Sequence, residues 1–158
     1  MNRWIQVPAG KAPPAAERHA GGRPYPDVMD PDELGRRIAD DPATSDVAVL
    51  LLHGSRARGD AGPGADWDFG VLANPGGSPD LAALSATLVG HLGTERVDVA
   101  DLGSASALLR FRAARDGVIV LEREPGAFLR FREAAVRFWC DAGPVIRIAQ
   151  NDVLAGLG

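Results

Sequence analysis

The sequence predicts an α/β fold: a mixed sheet of about four strands covered by helices on one side. Strand patterns recur at 47–52, 66–72, 96–101 and 118–121, the first a nearly continuous apolar run and the second and third alternating acids with apolar residues. Around them, Leu34 and Ile38, then Leu81, Leu84, Leu88 and Leu92, then Phe128, Phe131, Ala135, Phe138 and Ala142 recur at intervals of three or four, the period of an amphipathic helix. Strand and helix patterns that alternate over short connections make an α/β layer rather than a bundle or a sandwich.

Composition bounds the reading. A chain of 158 residues holds one domain with a single core, and 46% apolar with 24% charged residues is ordinary for a soluble globule. The net charge of −4 and the pI near 5.3 argue against a general nucleic-acid binder, whose affinity comes from a basic surface. No direct nucleic-acid binding is expected. Residues 27–68 nevertheless hold 4 Arg against 10 acids, and residues 110–137 hold 7 Arg against 4, so one face is acidic and another basic. Cys140 is the only cysteine, which leaves no disulfide framework and no thiolate cluster. Its neighbours Phe138 and Trp139 predict packing for it. No run approaches a membrane span and the N-terminus lacks a signal core, so a cytoplasmic protein is expected.

In chain order, residues 1–26 carry five prolines and no sustained period, and are expected to be a disordered or loosely attached extension. The domain is assigned to 27–158. Asp30 caps a first helix at 31–40, with Pro31 at its first position and Glu33 completing a capping box. Val47 to Leu52 is nearly continuous in apolar residues, the mark of a strand buried on both faces. A Gly54-Ser55 turn and a short basic segment follow, then a loop at 60–65. In the second strand Trp67, Phe69 and Val71 face inward and Asp66 and Asp68 point the other way. A helix from Ser78 to about His91 leads to a third strand, where Asp98 faces opposite Val97 and Val99 while Asp101 sits at the strand end. Ser104 is expected to cap the next helix, with Gly117 ending it in a left-handed conformation. The strand at 118–121 is placed at the sheet edge. A last helix from Pro125 is expected to kink or restart at Pro144, and the segment from Ile146 to Leu157 to dock on this domain or another protein.

The chemistry concentrates at His53-Gly54-Ser55-Arg56-Ala57-Arg58-Gly59 and, after a ten-residue spacer, Asp66-Trp67-Asp68. Two carboxylates converging on one spot repel unless a cation lies between them, and hard oxygen ligands suit Mg²⁺ that also holds substrate phosphates. The Gly-Ser turn offers backbone N–H groups and a hydroxyl to those phosphates. Arg56 and Arg58 are candidate phosphate donors. His53 is read as a hydrogen-bonding or packing residue, and His91 as a surface residue near a helix end.

Gly54-Ser55 followed by Asp66-x-Asp68, flanked by apolar residues, resembles the signature of the polymerase-beta-like nucleotidyltransferases. The compact frame is similar to their minimal members, called MNT. Over roughly residues 45–145 the chain also looks like MNT antitoxins paired with HEPN toxins. The resemblance implies the third family carboxylate at Asp98, two Mg²⁺ ions held by Asp66, Asp68 and Asp98, and ATP gripped by Gly54, Ser55, Arg56 and Arg58. It further implies transfer of AMP to a hydroxyl, that of a tyrosine, on a cognate HEPN toxin. The residue before the first acid is commonly Ser in this family and is Ala65 here, which puts the metal geometry in question. Two alternatives stand beside this reading: an aminoglycoside-type small-molecule nucleotidyltransferase, and a non-catalytic MNT module that neutralises a toxin by binding alone.

Overall fold

The structure, a computed structural model, describes residues 29–156, with side-chain surroundings described as far as Ala142. The expectations for residues 1–26 and for the docking of the terminal segment lie outside those bounds. The elements are α1 (Pro31–Ile38), a single 3-10 turn (Pro42–Thr44), β1 (Val47–His53), α2 (Gly54–Arg58), β2 (Trp67–Ala73), α3 (Leu81–Leu92), β3 (Val97–Asp101), α4 (Ala107–Asp116), β4 (Val118–Glu122) and α5 (Ala127–Gly156). The strands form one mixed sheet in the order β3-β2-β1-β4, with β4 at an edge as expected. β1 runs antiparallel to both of its neighbours, and β2 pairs with β3 in parallel.

β1 is the spine. All seven of its residues are buried, because helices cover both faces of the sheet and not one. Leu50 and Leu52 pack with Trp67, Phe69, Val71, Leu84 and Leu88 on the α1/α3 face. Val49 and Leu51 pack with Leu102, Ala113, Phe131 and Ala135 on the α4/α5 face. Val47 and Val49 would share a face in a regular strand, yet they fall in opposite clusters. A bulge explains this: the register with β2 shifts between Val47 and Val49, and one extra residue reverses the alternation. From Val49 onward the alternation is regular, and this determines which face His53 joins.

Local chemistry sets the helix ends, with three departures from expectation. Asp30 accepts the N–H groups of Asp32 and Glu33 at 2.9 and 3.3 Å, but Glu33 does not reach back to complete a box. Its carboxylate pairs with Arg36 and Arg37 one turn on. Ser106, not Ser104, caps α4 through the Leu109 N–H, because the Ser104 hydroxyl is held by the Asp101 carboxylate at 2.7 Å. Gly117 is extended, with φ −65° and ψ 137°. Its place is instead explained by close approach, since an added Cβ would overlap the Ala113 carbonyl.

In α5 the buried face passes from Phe131 and Ala135 to Trp139, whose ring stacks on Phe111 at 5.2 Å. Phe138 is 55% exposed and Cys140 is exposed rather than packed. The helix continues past Pro144 as one element to Gly156, so no restart occurs there.

Candidate active site

The pairing register assembles the site. His53 at the end of β1 lies opposite Asp68 of β2, and Asp68 lies opposite Asp98 of β3. Neighbouring strands are about 4.8 Å apart, so three polar side chains line up across three adjacent strands. They share a face as well. Trp67, Phe69, Val97 and Val99 pack on the α1/α3 side, which turns Asp68 and Asp98 to the side that β1 covers with Val49 and Leu51. Asp66 precedes β2 and is exposed at the rim of this row. Asp101, at the far end of β3, accepts the Gly103 N–H and the Ser104 hydroxyl and serves the turn.

Electrostatics agree with the geometry. Burial raises the Asp68 carboxyl above its ordinary value against the opposing pull of His53, and the negative charges of Asp66 and Asp98 raise it further. A carboxylate whose ionisation burial and acidic neighbours disfavour is one that a cation stabilises. Among the described residues no three His, Cys, Asp or Glu side chains gather closely enough to hold a metal ion by themselves. The donor set therefore fits Mg²⁺ carried in by phosphates, which needs only one or two protein carboxylates, rather than an ion caged by the protein.

Gly54 opens α2 directly after β1 with φ +73°. A Cβ there would overlap the Asp68 carboxylate. The Gly-Ser turn thus lies against the Asp68 carboxylate, the closeness that a phosphate cradle beside a metal site requires.

The two arginines of α2 diverge. Arg58 makes an exposed 3.0 Å pair with Asp60, a bond worth little in water. It also lies within electrostatic reach of Asp68, whose ionised form it favours. Arg56 turns instead to the loop. Its Nε and Nη2 donate to the Ala65 carbonyl at 3.1 and 2.7 Å, its Nε also reaches the Asp66 carbonyl at 3.2 Å, and its guanidinium covers the Trp67 ring at 4.0 Å. Arg96, which the sequence reading passed over, donates to the Gly64 carbonyl. Its proximity to Gly64 arises from strand pairing across 32 residues, for which the local sequence carries no signal.

His53 is 9% exposed, and its buried Nε2 has no hydrogen-bond partner. Burial lowers its pKa below the ordinary 6.5, opposed by the Asp68 and Asp98 carboxylates and the Phe69 backbone. A histidine with a depressed folded pKa contributes stability that is present above 6.5 and is lost as pH falls through the lower folded value. Thermal melts should therefore show stability declining as the solution is acidified from neutrality through this window. His53→Gln should flatten that part of the profile, and an unaltered profile would remove His53 as its cause.

Residues 41–126 match the family model described as polymerase beta, nucleotidyltransferase. The chain belongs to the polymerase-beta nucleotidyltransferase family. The matched span contains all four strands, the Gly-Ser turn and all three acids of the site. Among curated relatives of this nucleotidyltransferase, the protein adenylyltransferase MntA of Aphanizomenon flos-aquae (strain 2012/KM1/D3) is 28% identical over 97 residues. That alignment covers 55% of this chain and 65% of the relative, so the chain spans less than two thirds of that protein's length. A crystal structure of a toxin-antitoxin with AMP-PNP superposes with a TM-score of 0.64 at 21% identity, covering 80% of this chain and 99% of the other. The structure of a tri-AMPylated Shewanella oneidensis HEPN toxin in complex with MNT antitoxin matches with a TM-score of 0.59 at 20% identity, over 79% and 99% of the two chains. At these identities the likeness to solved structures is one of fold. No helix among the described residues is long and apolar enough to cross a membrane.

Proposed function

We propose that this chain is a Mg²⁺-dependent adenylyltransferase that moves AMP from ATP to a hydroxyl on a HEPN-type toxin and so silences it. The observation that carries the reading is the contact of the Gly54-Ser55 turn with Asp68, in one row with Asp98, inside a nucleotidyltransferase fold. The names of the similar proteins, an adenylyltransferase MntA and MNT antitoxins seen with AMP-PNP or an AMPylated toxin, support ATP as donor and a protein as acceptor.

In this reading Gly54 and Ser55 grip the β- and γ-phosphates, and Arg58 adds positive charge beside them. Asp66 and Asp68 would hold the two Mg²⁺ ions that accompany the triphosphate, and Asp98 would help hold one of them. When bound, Mg²⁺ supplies neutralisation of charge building on the α-phosphate and the leaving group. The acceptor oxygen, its proton passing to Asp98, bonds to the α-phosphorus as the bond to the bridging oxygen breaks and pyrophosphate departs. The protein's contribution is mostly positioning. Bulk and negative charge added beside a toxin's RNA site would then exclude an RNA backbone.

The test is mass spectrometry of the partner toxin after incubation with this protein, ATP and Mg²⁺. One or more AMP additions that disappear with Asp66→Ala are expected. Inhibition of an unmodified toxin at stoichiometric ratio would replace the reading with a binding antitoxin, and transfer to an aminoglycoside alone would replace it with a small-molecule enzyme.

A further inference from the structure

The loop between Gly59 and Asp66 contains Gly62 and Gly64, and Pro63 between them, and a chain of that composition has no intrinsic reason to hold one conformation. It nevertheless delivers Asp66 to the rim of the site. Three consecutive carbonyls in it are each met by an arginine: Gly64 by Arg96, Ala65 by Arg56 twice, and Asp66 by Arg56 again. Arg56 arrives from α2, and Arg96 from the residue before β3. The two grips are tied together through Trp67, whose ring lies under the Arg56 guanidinium at 4.0 Å and whose N–H donates to the Arg96 carbonyl at 2.9 Å. Gly64 has φ +75°, a conformation that L side chains rarely adopt, and the Arg96 guanidinium lies directly against it.

We propose that Arg56 and Arg96 are positioning residues: a two-sided clamp on this loop that sets where the Asp66 carboxylate meets the Mg²⁺ carried by the nucleotide. Arginine suits the task because it stays charged and its planar fork can hold two carbonyls while its face covers an indole. The clamp also assigns Arg56 to the backbone rather than to phosphate. The inference rests on the nucleotidyltransferase reading for its metal and adds the residues that aim one ligand.

Arg96 is the cleaner probe, since it is exposed and no phosphate role has been attached to it. The full chain and its Arg96→Met and Arg96→Lys variants would be compared by ATP-induced thermal shift across a Mg²⁺ titration, and by amide hydrogen exchange. Arg96→Met should raise the Mg²⁺ concentration for half-maximal shift by about tenfold or more, the usual effect of removing a group that orients a metal ligand. Exchange should accelerate at 60–67 while β1 stays protected. Arg96→Lys, which keeps one donor for the Gly64 carbonyl, should recover most of both. Faster loop exchange with an unchanged Mg²⁺ requirement would overturn the proposal, leaving a loop brace without influence on the metal. Unchanged loop exchange would overturn it too. If the unaltered protein shows no Mg²⁺-dependent ATP shift at all, the nucleotidyltransferase reading fails and takes the clamp with it.

Discussion

Asp68→Asn is expected to abolish nucleotidyl transfer while raising the melting temperature of the ligand-free protein at neutral pH. The two effects share one cause. Burial together with the Asp66 and Asp98 charges raises the Asp68 carboxyl above 3.8 in the folded protein. A carboxyl with a raised folded pKa contributes stability that is fully present below 3.8 and is lost as pH rises through the higher folded value. At neutral pH the ionised group is therefore held at a cost, which a neutral amide of the same shape relieves. On the proposed reading Mg²⁺ would reverse the balance, because the charge that costs stability would then be a metal ligand. Metal-borne charge stabilisation is worth several kcal/mol, and each 1.4 kcal/mol is tenfold in rate, so transfer should fall by roughly a thousandfold or more. Rates of AMP incorporation and melts of parent and variant, at neutral pH and below 3.8, check both arms. Full activity would sink the role of Asp68. A variant that melts below its parent at neutral pH would show that the carboxylate makes contacts outweighing its repulsion.

Gly54→Ala should damage both stability and activity. With φ +73° the position lies where an L-residue costs about 1–2 kcal/mol, and the new methyl would also overlap the Asp68 carboxylate. Either the turn or the acid must move. A displacement of about 1 Å at a reacting group costs on the order of a hundredfold in rate. Gly76 separates the two effects, since it has φ +77° with nothing within 4 Å of an added Cβ. Gly76→Ala should show a similar loss of stability by urea titration and an unchanged rate. If Gly54→Ala were as active as Gly76→Ala, the closeness of turn and acid would not matter to the reaction.

Much of this was legible in the chain itself. The four strands, the cap at Asp30, and the succession of Gly54-Ser55 and Asp66-x-Asp68 all rest on periodicity or backbone preference, which act over a few residues. Asp98 was legible for the same reason, because two flanking valines declare which way it faces. Misreadings arose where two local solutions were nearly equal. Ser104 and Ser106 both suit a helix start, and the carboxylate of Asp101 took the first of them. Phe138 and Trp139 are adjacent on α5, and it was Phe111 of α4 that drew Trp139 into contact.

What the sequence determined by itself is therefore the inventory: four strands, their order along the chain, a Gly-Ser turn at the end of the first, and acids at 68 and 98 that face opposite their apolar neighbours. Only the tertiary structure decided the arrangement. It placed His53, Asp68 and Asp98 in one row, covered the sheet on both faces, reversed the alternation of β1 at its bulge, and turned Arg56 to the loop with Arg96 opposite. Local preference fixes the direction of a side chain relative to its own strand. Which groups it meets depends on strand register and helix packing, set by burial summed over the whole core, and no stretch of a few residues contains that sum.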